Sequence, residues 1–289
     1  RAGAIGFYST GVNIGILFGF LAGGWLNEFF GWRVAFMVVG LPGVLLAALV
    51  FLTIAEPTRG LADNRQASQG TVPFLDVLKL VWDRRSFRFM ALGAALNAFA
   101  AYSVANWTAS FMIRSHGMST GELGTWLALI MGVFGAIGVY FGGVIADRLS
   151  SRDKRWYMWI PAVTSLLCAP FLAMVYLADG PYTALIMSSV PGLLSNAYLG
   201  CTIASAHGLV GLRMRATASA ILFFILNMIG LGLGPWSVGL LSDLLHPTLA
   251  TDSLRYAMLY LIPIAMVLSG MTFLLASRYL REDLARAPD

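Results

Sequence analysis

The sequence predicts an all-α protein that crosses a lipid bilayer several times. Of its 289 residues, 58% are hydrophobic and 11% are charged, whereas soluble domains have about 45–50% apolar and about 25% charged residues. Long apolar runs, in place of alternating segments of about 10 residues, exclude a transmembrane β-barrel. The 31 glycines suit helices in lipid, because small residues let helix backbones approach closely. These features exclude a soluble fold and leave a polytopic helical membrane protein.

Eight stretches are apolar over the length of about 20 residues that a helix needs to cross the hydrocarbon core. They lie at about 5–26, 33–54, 87–113, 122–146, 156–178, 181–206, 214–242 and 254–279. An even number of spans places both ends of this chain on the same side of the membrane.

The basic residues predict which side that is. Of the 19 Lys and Arg residues, all but Arg33, Arg114 and Arg255 lie in the loops and tails of one side. Because Lys and Arg collect in cytoplasmic loops, both ends of this chain are predicted to be cytoplasmic. The same asymmetry explains the net charge of +5, so the basic excess does not indicate a nucleic-acid partner.

The cysteines and acidic residues give no sign of metal chemistry or catalysis. Cys168 and Cys201 fall inside apolar runs, which argues against a disulfide framework or a metal site. An enzyme that acts on lipids needs clustered acid, base and nucleophile side chains at one membrane face. The sequence shows no such cluster, so we expect neither an enzyme nor a cofactor.

The segment 55–86 is the longest predicted loop, and its character changes along its length. Its first part is polar, whereas apolar residues recur at helical spacing over 73–82, with Asp76 and Lys79 between them. This pattern predicts a short amphipathic helix. The helix either lies along the cytoplasmic membrane surface or forms a structured connector without membrane contact.

An internal repeat relates the first predicted helix to the seventh. Arg1-Ala2-Gly3-Ala4 matches Arg215-Ala216-Thr217-Ala218, Asn13 aligns with Asn227, and Gly15 and Gly19 align with Gly230 and Gly234 after one insertion. Parallel repeats of six helices are typical of transporters built from two halves. We therefore expect residues 1–54 to be the last two helices of an N-terminal six-helix domain, and four further helices to precede Arg1. Residues 55–86 are then the loop between the domains, and residues 87–289 are a C-terminal six-helix domain.

A motif at the end of the fourth predicted helix resembles a family signature. Gly142-Gly143-Val144-Ile145-Ala146-Asp147-Arg148 is followed by Arg152, Lys154 and Arg155. This resembles the glycine–aspartate–arginine signature of the major facilitator superfamily, which lies between the second and third helices of each half. The resemblance implies that superfamily's fold, with eight of its twelve helices present as helices 5–12.

The same resemblance implies a gate. A carboxylate at a helix end pairs with a basic residue or a helix N-terminus, and breaking the pair favours another conformation. The expected gating residues are Gly143, Asp147, Arg148 and Arg152, with Arg1 as partner and Arg215 in the same role for the other half. A basic loop that only sets membrane topology is the alternative.

Glycines in the first predicted helix resemble the antiporter motif of the superfamily's fifth helix. They are Gly15, Gly19, Gly23 and Gly24, and Phe20 stands where that motif has proline. The seventh helix keeps the dipeptide Gly234-Pro235. A glycine face lets a helix slide or bend against its neighbour, although plain tight packing produces the same pattern.

Three longer segments resemble bacterial Spinster-type transporters over most of the chain. They are GFYSTGVNIGILFGFLAGGWL, NWTASFMIRSHGMSTGELGTWLA and GLGPWSVGLLSD. The resemblance implies an inner-membrane protein associated with lysolipid and sphingolipid-like substrates and driven by protons.

Neutral polar and aromatic residues inside the predicted spans are the candidates for a substrate cavity. They are Tyr8, Asn13, Asn97, Tyr102, Asn106, Trp107, Asn196, Tyr198 and Asn227. A buried amide without a partner is costly, so each side chain faces either another helix or a water-filled cavity. Acidic residues are absent from the middle of the spans, so a proton-coupling carboxylate is expected in the helices that precede Arg1.

Together these features predict a monomeric secondary transporter that works by rocker-switch alternating access. The expected partners are membrane lipids, protons and an amphipathic, lipid-like substrate that the protein exports. Proton-coupled transport of small organic anions or drugs is the alternative.

Overall fold

The computed structural model describes residues 2–54 and 72–287, and this part of the chain is helical with short connections. The α-helices are α1 (Ala2–Phe30), α2 (Trp32–Thr53), α3 (Phe74–Asp83), α4 (Arg85–His116), α5 (Thr120–Leu127), α6 (Gly135–Ser150), α7 (Trp156–Leu177), α8 (Pro181–Leu194), α9 (Ala197–Gly208), α10 (Arg215–Leu226), α11 (Gly234–Leu249) and α12 (Ser253–Ala285). Two π-helical segments, Ala128–Phe134 and Asn227–Leu233, join α5 to α6 and α10 to α11. The predicted all-α class is confirmed.

Each of the eight predicted spans coincides with a helix or a pair of consecutive helices in the described residues. The spans are α1, α2, α4, α5–α6, α7, α8–α9, α10–α11 and α12. In that part of the chain, six helical stretches are long and apolar enough to cross a membrane, and one of them is the 74-residue stretch Leu212–Ala285. This stretch contains two spans, because Ala250, with φ 45°, ends α11 before α12 begins.

The core lies within the six spans α4 to α12, which we call the bundle. The helix α12 packs along both α4 and α7. Close packing of α4 follows from its small buried residues, which include Ala91, Ala94 and Ala98. Small side chains on contact faces let helix axes approach closely, so the bundle is held mainly by this three-helix contact.

The helices α1 and α2, which we call the helix pair, contact the bundle mainly through α1. The helix α1 packs on α5 and on the π-segment Ala128–Phe134, whereas α2 packs mainly on α1. In α2 only Ala35 is buried. The position of α1 relative to α5–α6 therefore determines how the helix pair sits on the bundle.

The predicted amphipathic helix is α3. It buries Val77 and Val81 completely and packs on α4 and α10. Its opposite side exposes Phe74, Leu75 and Trp82. The helix is thus docked on the bundle by one apolar face and presents a second apolar face outward.

Candidate functional site

Three bundle spans depart from regular α-helix near the middle of their length. Two contain the π-segments Ala128–Phe134 and Asn227–Leu233, and α8 and α9 are separated by a turn at Ser195–Asn196. π-helical turns occur frequently at functional sites, and interrupted helices in transporters form binding sites. These irregularities therefore mark the region of the bundle where a substrate site is expected.

Polar side chains of α4 meet the second π-segment in this region. The Tyr102 hydroxyl donates to Asn227 Oδ1 at 3.2 Å. Asn106 Nδ2 donates to the carbonyl of Tyr102 at 2.8 Å, and Asn227 Nδ2 donates to the carbonyl of Phe223 at 2.8 Å. Both Asn106 and Asn227 are exposed. The structure thus brings these three predicted cavity residues together, and we call them the polar group.

Trp107 and Pro235 form a second contact between α4 and the span α10–α11. The indole Nε1 of Trp107 donates to the carbonyl of Pro235 at 2.9 Å. This hydrogen bond joins α4 to the first turn of α11. Proline suits that turn because it has no N–H that would be left without a partner at a helix start. Tyr198 is buried in a hydrophobic cluster against which Tyr102 packs.

Asn196 lies at the interruption between α8 and α9 and is exposed. Its Nδ2 lies 3.6 Å from the position that a Cβ on Gly135 would occupy. The amide therefore borders α6 next to the first π-segment. It makes no contact with the polar group in the described hydrogen bonds.

Asn97 lies inside the bundle packing. Its side chain is 1% exposed, and Nδ2 donates to Ser165 Oγ at 2.9 Å. Ser165 Oγ lies 3.4 Å from Ser269 Oγ, which donates to the carbonyl of Gly93 at 2.8 Å. This hydrogen-bonded chain joins α4, α7 and α12, and the structure does not bring Asn97 to the polar group. Arg1 and the side chains of Tyr8 and Asn13 lie outside the described residues.

The closest contact between the helix pair and the bundle is a glycine crossing of α1 and α5. A Cβ on Gly24 would lie 2.7 Å from the carbonyl oxygen of Thr120, and a Cβ on Gly124 would lie 2.5 Å from that of Phe20. Side chains at either position would force the helices apart. We call this side of the molecule, where α1 ends and α5 begins, the Glu28 end, and the opposite side the Asp147 end.

The other glycines of the predicted antiporter motif do not make such contacts with described residues. Nothing in the described part of the chain lies within 4 Å of a Cβ placed on Gly15, Gly19 or Gly23. Gly19 and Gly23 line a largely apolar groove of about 270 Å³ between α1 and α2. The repeat counterparts of Gly15 and Gly19 are packed, since a Cβ on Gly230 would lie 2.7 Å from Ala98 Cβ and one on Gly234 would lie 2.7 Å from the carbonyl oxygen of Phe99.

The span α5–α6 carries two glycine faces that sequence reasoning missed. Gly121, Gly124 and Gly132 approach α1, whereas Gly135, Gly138 and Gly142 approach or border α8–α9. The π-segment Ala128–Phe134 separates the two sets. A π-turn contains an extra residue, so the side chains that follow it point in a different direction around the helix axis. The glycines before and after the segment therefore face different neighbours, α1 and α8–α9.

The predicted gating loop lies at the surface of the described part of the chain. Gly143, Asp147, Arg148 and Arg152 are not buried, and Arg215 is exposed. Among the described residues, no ion pair includes Asp147. A Cβ on Gly143 would have no described atom within 4 Å.

A different carboxylate anchors this loop to the bundle. Asp153 Oδ2 lies 3.2 Å from Arg155 Nε and 2.7 Å from Arg281 Nη2 of α12. The Arg155 backbone N–H, and then the Arg281 and Arg155 side chains, lower the pKa of Asp153. The loop is therefore held within its own half while Asp147 stays accessible.

One motif typical of hydrolases occurs between α4 and α5. Gly117-Met118-Ser119-Thr120-Gly121 matches the Gly-x-Ser-x-Gly pattern, which in hydrolases forms a strand-to-helix elbow. Here it follows a helix, and Ser119 Oγ accepts from the Glu122 N–H at 3.3 Å. Ser119 is thus the N-cap of α5, which explains the serine without catalysis.

Long apolar helices with interrupted spans are typical of a membrane transporter, and comparisons with known proteins identify the family of this chain. The Major Facilitator Superfamily matches residues 1–235, so the chain belongs to that superfamily, whose members are transporters and not enzymes. It is 31% identical over 268 residues to an MFS-type efflux pump of Mycolicibacterium smegmatis, covering 91% of this chain and 60% of the pump.

Two further similarities lie within the Spinster group. The sphingosine-1-phosphate transporter SPNS2 of Danio rerio is 26% identical over 89% of this chain and 55% of its own length. The crystal structure of a bacterial homologue of the human lysosomal transporter Spinster, inward-facing and unoccupied, superposes with a TM-score of 0.73. The two sequences are 26% identical, and the superposition covers 99% of this chain and 71% of the Spinster homologue. The chain thus spans about 60% of the length of the first curated relatives it matches.

Proposed function

We propose that the intact protein is a proton-coupled secondary transporter that exports an amphipathic, lipid-like molecule by alternating access. The observation that carries the proposal is the polar group, whose exposed amides lie beside a π-helical segment of a membrane-spanning helix. An amide at this depth needs water or a polar ligand, and a transport cavity supplies both.

The surroundings of the polar group favour an amphipathic substrate. Phe223 and Leu231 lie four residues before and after Asn227, and their side chains are 38% and 50% exposed. Residues at this spacing share one face of a helix. A substrate with a polar head and an apolar chain matches amides flanked by exposed apolar side chains.

The relatives support this substrate class and also keep the alternative open. The name of the Danio rerio relative states sphingosine-1-phosphate transport, and the solved relative is a Spinster homologue. The name of the Mycolicibacterium smegmatis relative states efflux and no substrate, so drugs or small organic anions are the alternative substrates.

The membrane orientation follows from the basic residues. With both ends of this chain cytoplasmic, the Asp147 end faces the cytoplasm and the Glu28 end faces away from it. The glycine crossing then closes the outer side. This arrangement corresponds to an inward-facing state of a monomer in a bacterial inner membrane.

The helix α3 is proposed to lie at the cytoplasmic membrane surface as part of the loop between two six-helix domains. A cleft beside it is lined by Leu78, Lys79, Trp82, Asp83 and Arg88. Tryptophan and basic side chains are typical of helices at the lipid headgroup level. The carboxylate that couples transport to protons is proposed to lie outside the described residues.

Replacing Asn227 with Leu tests the proposed cavity. The variant loses the acceptor of the Tyr102 hydroxyl and one exposed amide, so we expect the KM for a lysophospholipid to rise about tenfold, as for a loss of about 1.4 kcal/mol. Transport by the intact protein in proteoliposomes gives KM, with a dicarboxylate as the competing substrate class. Asn27→Leu, an amide of α1 outside the polar group, is the control. An unchanged KM for Asn227→Leu, or preferential transport of the dicarboxylate, contradicts the proposal.

Replacing Asp147 with Asn tests the proposed gate. The substitution removes the charge that would attract Arg1 when the Asp147 end closes, so we expect kcat to fall by about tenfold with little change in KM. Asp179→Asn, in the exposed loop after α7, is the matched control. Equal transport kinetics for wild type and Asp147→Asn would remove Asp147 from the gate.

A further inference from the structure

We propose that Glu28 is a latch residue that holds α1 against α5 and sets the balance between the two states of the transport cycle. The inference rests on the proposed alternating access and names a residue that controls it. The Glu28 carboxylate Oε2 accepts the backbone N–H of Gly121 at 2.5 Å. Gly121 is the second residue of α5, and Glu28 belongs to α1, so this bond joins the helix pair to the bundle.

The chemistry of a helix start explains why a carboxylate is placed there. The first N–H groups of a helix have no partner within the helix, and the helix dipole attracts negative charge to them. Hydrogen bonds between a carboxylate and backbone N–H groups are stronger than neutral ones. The first-turn N–H of Gly121 in α5 therefore finds its hydrogen-bond acceptor on α1, in the Glu28 carboxylate.

Neighbouring contacts align the latch. One helical turn before Glu28, α1 and α5 cross at Gly24 and Gly124. The carbonyl oxygen of Gly24 accepts a hydrogen bond from Thr120 Oγ1 at 3.3 Å. Trp25 Nε1 donates to Thr125 Oγ1 at 3.0 Å. The glycine crossing brings the helices close enough for these bonds to form, and the bonds exist only while the helices are close.

The latch is reversible because Glu28 is exposed. When α1 and α5 separate, water replaces each partner of the broken hydrogen bond, so the net contribution is small enough for the cycle to continue. The nearest described cation on α1 and α2, Arg33, lies over the ring of Trp32 at 4.5 Å, and no described ion pair includes Glu28. Within residues 2–54 and 72–287, the start of α5 is therefore the polar partner of the Glu28 carboxylate.

A second glutamate at the same end provides the comparison. Glu122 accepts from the Tyr182 hydroxyl at 2.7 Å, and its backbone N–H is capped by Ser119. All of these contacts lie within the bundle. Glu122 therefore stays bonded whether or not the helix pair moves, whereas Glu28 is bonded only when the Glu28 end is closed.

The experiment measures distances across both ends of the intact, reconstituted protein by double electron–electron resonance. Spin labels at the exposed positions Phe30 and Arg114 report the Glu28 end, and labels at the exposed positions Ile54 and Leu212 report the Asp147 end. The two cysteines of this chain are both buried, so background labelling within it is low. The variants are Glu28→Ala, Glu28→Gln and, as the matched control, Glu122→Gln.

We expect Glu28→Ala to lower the ratio of closed to open Glu28 ends about five- to tenfold, the size of one lost hydrogen bond whose partners water can replace. The Asp147 end should close in the same proportion, and Glu28→Gln should lie between wild type and alanine, because its amide oxygen still accepts. Glu122→Gln should leave both distance distributions unchanged. A Glu28→Ala variant that loses thermal stability without redistributing the distances overturns the latch. A wild-type protein with one fixed distance at each end overturns alternating access itself.

Discussion

Replacing Gly138 with Ala is expected to lower the apparent Tm of the intact protein by about 10 °C. A Cβ at this position would lie 1.7 Å from the carbonyl oxygen of Leu193, which belongs to the backbone of α8 and has no flexible end to move aside. Overpacking costs about 1–3 kcal/mol in ordinary cores, and about 1 kcal/mol lowers Tm by a few degrees in proteins of this size. Here α6 and α8 must separate along their length, so the expected loss is at the upper limit.

Gly143→Ala is the matched control, because it lies on the same helix and within the gating motif. No described atom lies within 4 Å of its Cβ position, and alanine favours helix over glycine by up to about 1 kcal/mol. Its Tm should equal or exceed that of wild type. Thermal unfolding in detergent, followed by size-exclusion chromatography, gives both values. Equal Tm values for the two variants would contradict the close approach of α6 and α8.

The second large effect is expected for Asp283→Ala at the end of α12. Asp283 is 6% exposed, and its Oδ2 accepts the backbone N–H of Ser86 at 2.8 Å. This N–H lies in the first turn of α4, the helix against which α12 packs. An unsatisfied buried donor costs about 1–3 kcal/mol, and a lost charge at the helix start adds about 0.3–1 kcal/mol. We expect Tm to fall by about 5 °C or more.

Two neighbouring variants separate the hydrogen bond from general damage to the C-terminal helix. Glu282→Ala removes an exposed carboxylate one residue earlier and should leave Tm unchanged. Asp283→Asn keeps an acceptor oxygen for Ser86 and should lose less stability than alanine. If Glu282→Ala were as destabilising as Asp283→Ala, the assignment of the buried carboxylate to α4 would be wrong.

Hydropathy predicted the spans well because crossing a membrane depends on local composition. Each stretch of about 20 apolar residues forms a helix or a pair of consecutive helices, and the periodic segment 73–82 forms α3, Phe74–Asp83. The π-segments were not predictable in this way. Around the segment Ala128–Phe134, Gly132 approaches Leu17 of α1 and Gly138 approaches Leu193 of α8, and such contacts between helices leave no periodic signal along the chain.

Local composition also predicted part of the candidate site. Uncommon polar residues inside apolar runs identified Tyr102, Asn106 and Asn227, which the structure joins through hydrogen bonds. The same rule also selected Asn97, whose partners Ser165 and Ser269 are far apart in sequence. Composition finds polar residues in a span, but only the packing decides whether each one faces a neighbour or an open surface.

The latch went undetected because its parts lie on two helices. Glu28 stands at the end of a span, where an acidic residue is unremarkable in sequence. The pattern that could have drawn attention to its partner is Gly121 and Gly124, since two small residues one turn apart favour close helix crossing. The carboxylate becomes informative only when α1 and α5 are seen to cross there.

The central claim is that the intact protein moves an amphipathic lipid-like molecule against a proton gradient, and flux through proteoliposomes tests it most directly. Vesicles with the intact protein, with the Asp147→Asn variant and without protein are given a fluorescent lysophospholipid with and without an imposed pH gradient. We expect protein-dependent movement of the lipid that the pH gradient raises several-fold and that Asp147→Asn reduces. Movement at the same rate with and without the gradient, or at the rate of protein-free vesicles, would contradict it.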